Sequence, residues 1–270
     1  MEAAVEQDTV VSNAADRRSF LKGAGFAGLS LAGAAMIGSK FVNEPKVEAA
    51  TYSDADILNF ALNLEYLEAE FYVMASYGTT LVGLGVISSS DETGPTTGGN
   101  KVPNFASSPY ATMATALRNH EVDHVLYLRS ALGSAAVKKP AINLNALGFG
   151  FMNVYNFLKL ARIFEDVGVS AYLGAAPSIS SSAYLAAAGA ILSTEAFHSG
   201  AIRQACVMNN VVSPAVDSMD VPPTAQNYFD VDKSALAIPR TPSEVLKIVY
   251  GGGSTSGGFF PQGVNGGIRM

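Results

Sequence analysis

A single cysteine, Cys206, rules out an internal disulfide framework, and its simplest role is that of a small buried apolar side chain. Charge is scarce too, at 15% of 270 residues against roughly a quarter in ordinary soluble proteins. A large share of the chain must therefore be buried, with helices apolar over wide faces. No basic cluster is available to neutralise phosphates. The net charge is −6, and setting aside residues 1–50, with five basic and six acidic side chains, still leaves −5. No nucleic acid partner is expected from such a balance. Histidine occurs only three times, so any repeated histidine motif carries weight.

The N-terminal fifty residues read as an address. Asp16-Arg17-Arg18-Ser19-Phe20-Leu21-Lys22 precedes an apolar, Gly/Ala-rich stretch at 23–38, followed by Lys40 and a polar run ending in Val47-Glu48-Ala49-Ala50. The apolar stretch is short against the roughly 20 residues a membrane-spanning helix needs. The arginine pair with Phe-Leu-Lys resembles a twin-arginine signal, which implies export of an already folded protein by the twin-arginine machinery and a periplasmic or extracellular location. Asp16 departs from the usual Ser or Thr before the arginines. Cleavage is expected near Ala49 and Ala50.

The mature chain divides by composition. Ser53-x-x-Asp56 opens a run free of Gly and Pro to Tyr77, which predicts a helix over 53–77 ending at Gly78. The Gly/Ser/Thr-rich stretch 88–100 reads as a surface loop. Ser108-Pro109 supplies an N-cap and an N1 proline for a second helix over 110–132, closing on Gly133. A connector over 138–148 leads to a third helix from about residue 150 to 172, broken by Gly174 and Pro177, and a fourth runs over about 181–209. The link between the second and third helices is long enough to run the length of a helix. Three segments follow: the signal and spacer, 1–50; a four-helix bundle, 51–212; and an irregular extension, 213–270. The extension has one short helix at Thr241-Pro242-Ser243-Glu244, and its Phe259, Phe260 and Val264 suit it to lie on the bundle or on a neighbouring copy in a homo-oligomer.

Two of the three histidines have a glutamate three residues before them, in Glu121-x-x-His124 and Glu195-x-x-His198. On a helix that spacing turns both side chains to one side, where they can grip one metal ion. The other two helices each carry a glutamate on their apolar stripe, Glu65 beside Leu58, Leu62 and Tyr72, and Glu165 beside Leu158, Ala161 and Tyr172. Acids on apolar faces are costly unless paired, hydrogen-bonded or metal-bound. The spacing also repeats: Glu65-x6-Tyr72 is echoed by Glu165-x6-Tyr172, and His124-x4-Arg129 by His198-x4-Arg203. Four carboxylates and two neutral imidazoles carry −4, which two divalent ions cancel. Oxygen and imidazole donors without thiolate favour Fe or Mn.

That pattern resembles the ferritin-like di-iron and di-manganese carboxylate proteins. Asn63-Leu64-Glu65-Tyr66-Leu67-Glu68-Ala69-Glu70-Phe71-Tyr72, with the tail Gly258-Phe259-Phe260-Pro261-Gln262-Gly263-Val264-Asn265-Gly266, is similar to the desiccation-related branch of that superfamily. The resemblance implies an all-α, ferritin-like four-helix bundle holding two Fe or two Mn ions. Glu121 and Glu195 would bridge them, His124 and His198 would be terminal ligands, and Glu65 and Glu165 would complete the shell. Glu68, opposite Gly168, is an extra ligand, a proton relay or simply an acid near a polar channel. Tyr72 and Tyr172 are hydrogen-bond donors to the ligands, redox-active phenols or packed tyrosines. His120 and Asp123 lie off the ligand face, on the solvent side or behind the ligands. The implied activity is redox chemistry with peroxide or oxygen, catalase-, peroxidase- or ferroxidase-like, in stress or desiccation protection. The alternative is a non-catalytic metal-binding or structural stress protein.

Overall fold

A computed structural model describes residues 52–270, so the expected export signal and the expected cleavage near Ala49 and Ala50 lie outside the described residues. Four long helices dominate: α1 (Asp54–Tyr77), α2 (Ala111–Leu132), α3 (Val154–Ala175) and α4 (Ser182–Met208). A short α5 (Pro242–Val249) lies in the C-terminal segment, and two-residue strands β1 (Thr96–Thr97) and β2 (Ile142–Asn143) pair in parallel. Among the described residues no helix is long and apolar enough to cross a membrane.

α1 begins and ends where its sequence says. The Ser53 hydroxyl accepts from the Asp56 amide at 3.2 Å, and the Asp56 carboxylate accepts from the Ser53 amide at 3.1 Å. Gly78 closes the helix at φ 72°, a conformation a side chain would resist. α2 departs from expectation. It starts at Ala111 with no side-chain cap, because the Ser108 hydroxyl takes the amide two residues on, that of Tyr110 at 3.3 Å, and forms a separate turn. α3 also starts later than residue 150, since Gly150 has φ 131° and Asn153 caps the Asn156 amide at 2.9 Å. Gly174 does not break α3. Its missing side chain admits the Arg240 carbonyl, which would stand 1.9 Å from a Cβ there.

Cross-helix contacts fix the topology. Tyr66 meets Arg129 and Asn59 meets Ala135, so α1 and α2 are antiparallel. Leu158 meets Cys206 and Asp166 meets Ser199, so α3 and α4 are antiparallel. Tyr72 meets Glu165 and Tyr172 meets Glu65, making α1 and α3 antiparallel as well. α2 and α3 therefore run the same way, and the chain between them must return along the whole bundle. It does so over α1, from Asn59, which bonds Ala135 and Val137, to Phe71, against which Phe151 packs. β2 in this crossover pairs with β1 of the first loop, which ties the loop 88–100 down while its residues stay at the surface as expected. Every residue of α1 from Ile57 to Ala75 is consequently buried.

The C-terminal segment is fastened by polar side chains. Asn63 and Asn265 exchange hydrogen bonds at 2.8 and 3.0 Å, while the Asn265 amide also donates to Thr93 and to the Lys138 carbonyl. Arg162 on α3 bonds both oxygens of Asp220 at 2.7 and 2.8 Å, and Arg203 on α4 donates to the Tyr228 and Val221 carbonyls. Phe259 packs edge-on against Phe164.

Candidate metal centre

Glu65 and Tyr72 stand two turns apart on α1, and Glu165 and Tyr172 two turns apart on α3. With the helices antiparallel, each tyrosine reaches the other helix's glutamate. The Tyr172 hydroxyl donates to Glu65 Oε1 at 2.5 Å, and the Tyr72 hydroxyl donates to Glu165 Oε1. Both phenols are held well above their ordinary pKa, by burial first and then by the carboxylates they serve. They therefore stay protonated and act as donors.

The Glu-x-x-His units of α2 and α4 complete the cluster from the opposite side. His124 Nδ1 lies 3.2 Å from each of Glu65 Oε2, Glu121 Oε2 and Glu195 Oε1. His198 Nδ1 lies 2.9 Å from Glu121 Oε1 and 3.2 Å from Glu165 Oε2. Two groups of potential ligand atoms result, Glu65/Glu121/His124/Glu195 and Glu121/Glu165/Glu195/His198, each within 4.8 Å. They share Glu121 and Glu195. All four glutamates are fully buried, yet Glu121 Oε1, Glu165 Oε2, both Glu195 oxygens and His198 Nδ1 lack an aligned hydrogen-bond partner. Four of these atoms meet only across charge contacts between a carboxylate and an imidazole; Glu195 Oε2 has none, and an unpaired buried acid oxygen costs about 1–3 kcal/mol, more if charged. The converging carboxylates and imidazoles make a donor set that fits cations.

The protonation of the cluster by itself follows from burial and crowding. Burial pushes Glu65 up to about 7, and burial with the neighbouring Glu121 and Glu165 raises Glu195 well above the usual range. Burial opposes charge on His124 and His198, but the surrounding carboxylates outweigh it; His198 rises to about 11 and His124 further. Glu121, facing both imidazoles, ends below the ordinary carboxylate range although burial alone would raise it.

Glu68 belongs to neither group of four but lies beside the shared Glu195. A Cβ on Gly168 would come within 3.0 Å of Glu195 Oε2 and 3.1 Å of Glu68 Oε1, so the missing side chain leaves room for two carboxylates side by side. Burial first, then Glu195 and the other acids, raise Glu68 well above its usual pKa. Behind it, a cavity of about 10 Å³ lined by Leu64, Leu67, Ile163 and Phe259 has room for about one water. The opposite side is slightly open: the His124 side chain is 12% exposed.

His120 takes one of its two expected places, behind a ligand. His120, expected off the ligand face, has Nδ1 2.8 Å from His198 Nε2, and the rings stack at 5.1 Å and 13°. The available signal was its spacing, one turn before His124 on the same helix. Asp123 is exposed. The echoed arginines match in role: Arg129 donates to the Tyr66 hydroxyl at 2.7 Å, and Arg203 to Asp166 at 2.6 Å, one residue after Glu65 and Glu165 respectively. A further acidic group, Asp166, Asp220 and Asp230, is occupied by Arg162 and Arg203 and reads as an ion-pair network.

Residues 53–207 match a family described as a ferritin-like domain. The chain is also similar to a protein named ferritin-like catalase Nec2 from Nesocodon mauritianus, 24% identical over 270 aligned residues that cover 80% of this chain and 85% of that one.

Proposed function

Because the chain belongs to the family of ferritin-like domains, we propose that it binds two redox metal ions, iron or manganese, and uses them against a small oxidant, peroxide or oxygen. The observation that carries this reading is the convergence of four buried carboxylates and two imidazoles on two groups sharing Glu121 and Glu195. Glu65, Glu121, His124 and Glu195 would hold one ion and Glu121, Glu165, Glu195 and His198 the other. Oxygen and imidazole donors without thiolate suit either metal. When bound, the pair supplies the reversible electron transfer that protein side chains lack.

The chain's own residues do the rest. Tyr72 and Tyr172 hold Glu165 and Glu65 in orientation through their hydroxyls. Glu68 holds a proton at its carboxyl beside Glu195 and delivers it where oxygen–oxygen cleavage needs one. Peroxide is the favoured oxidant because the similar protein is named a catalase. Two peroxides yield two waters and one dioxygen, so no outside reductant is consumed. Export in the folded state, on the strength of Arg17-Arg18 and the apolar stretch behind them, would carry the loaded centre to the periplasm or beyond.

Metal-loaded full-length protein is expected to evolve dioxygen from peroxide. Glu121→Ala should reduce turnover by more than about a hundredfold, beyond the 10–100-fold typical of residues behind the ligands. Undiminished turnover in that variant, or in chelator-stripped protein, contradicts the proposal. Full burial of the four glutamates favours a second reading, in which metal only fastens the bundle. Metal would then raise the unfolding temperature without peroxide consumption or ferrous oxidation.

A further inference from the structure

The two halves of the cluster repeat each other in glutamate, histidine, tyrosine and arginine, but not behind the histidines. On α2 the residue before Glu121 is His120, and it reaches across to His198 on α4 with Nδ1 2.8 Å from Nε2. On α4 the residue before Glu195 is Thr194. Its hydroxyl is spent on the Ala190 carbonyl of its own helix at 3.2 Å, so it gives His124 no imidazole partner.

We propose that His120 is a positioning residue for His198, and that it makes the two metal positions unequal in affinity. The inference rests on the two-metal reading above. A neutral imidazole has one N–H and one lone pair. For His198 to offer the lone pair of Nδ1 toward Glu121 and Glu165, its proton must sit on Nε2, and that N–H needs an acceptor. His120 Nδ1 is the acceptor at the required distance. The near-parallel stack of the rings, 13° apart, further limits rotation of His198. A fixed tautomer and ring direction are what partners behind histidine ligands commonly provide, and losing one typically lowers metal affinity 10–100-fold. The effect should fall on the position built from His198 and Glu165 and spare the one built from His124 and Glu65.

Stepwise titration of full-length, metal-free protein with Co(II), followed by visible absorption, tests this. Wild-type protein should bind two ions with separable affinities. His120→Ala should weaken one of them by about 10–100-fold and leave the other within about twofold. His120→Asn, whose side-chain oxygen occupies roughly the place of Nδ1 and can accept the same hydrogen bond, should restore most of the loss. His120 is largely exposed, so unfolding curves of the metal-free variants should overlay that of wild type. No change in either affinity, an equal change in both, or a loss that Asn does not restore overturns the proposal. Failure of wild-type protein to bind any ion overturns it together with the two-metal reading, whereas two ions bound with no response to His120 removes the inference alone.

Discussion

Gly168 occupies the position that Glu68 occupies on the partner helix, and its missing side chain is what lets Glu68 and Glu195 share one pocket. Gly168→Ala has two opposing consequences. Alanine favours a helix interior by about 1 kcal/mol over glycine, while the new methyl group stands 3.0 Å from Glu195 Oε2 and 3.1 Å from Glu68 Oε1. Both crowded atoms end flexible side chains, so the fold should absorb the change with a stability shift below about 1 kcal/mol. Glu195, if it is held by metal as proposed, has less freedom to move aside. Gly168→Ala should keep the unfolding temperature of metal-free protein nearly constant while lowering metal affinity at least about tenfold; unchanged affinity would show that Glu195 needs no space there. At this scale much was legible in sequence, because helical spacing alone aligns Glu121 with His124 and Glu195 with His198. The crossed pairs Tyr72–Glu165 and Tyr172–Glu65 and the His120–His198 contact were not, since each depends on which helices face each other and in which direction.

Among elements, helix identity followed directly from caps and periodicity, and the misses fell where backbone geometry overrode them. Ser108 is an acceptable cap residue, yet its hydroxyl serves the nearer amide of Tyr110. Gly174 looks like a terminator, but α3 runs to Ala175 and uses the glycine for close approach of Arg240. The tail motif ending in Asn265 could be quoted from sequence, but not its partner. Asn265 joins α1, the first loop and the crossover through Asn63, Thr93 and Lys138. Asn63→Ala removes both bonds to the Asn265 backbone and leaves that N–H and carbonyl without their partner on the buried helix. The expected cost is about 1–3 kcal/mol in chemical denaturation, with faster proteolysis of the last residues. A loss below about 0.5 kcal/mol would mean that Phe259 and Phe260 alone hold the segment.

The whole molecule concentrates its electrostatic conflict in one place, and its pH response should report what occupies that place. Burial pushes Glu65 and Glu70 up to about 7 and Asp166 up to about 6, from ordinary values of 4.5 and 3.8. The folded metal-free chain therefore holds protons that the unfolded chain has released, so its stability falls as pH rises from about 4 to 7. His198, raised to about 11 from 6.5, adds stability that is complete below 6.5 and fades as pH rises toward 11, reinforcing the trend. Bound cations oppose it at Glu65 and His198, because ligands must lose their protons to bind metal, so the stability gained from metal grows with pH. Thermal unfolding of metal-free and manganese-loaded full-length protein across about pH 4.5 to 7 is thus the direct test of the two-metal centre. The account predicts a falling curve without metal, a gap between loaded and stripped protein that widens as pH rises, and loss of that gap in Glu121→Ala. Parallel curves for the stripped and loaded protein would contradict it.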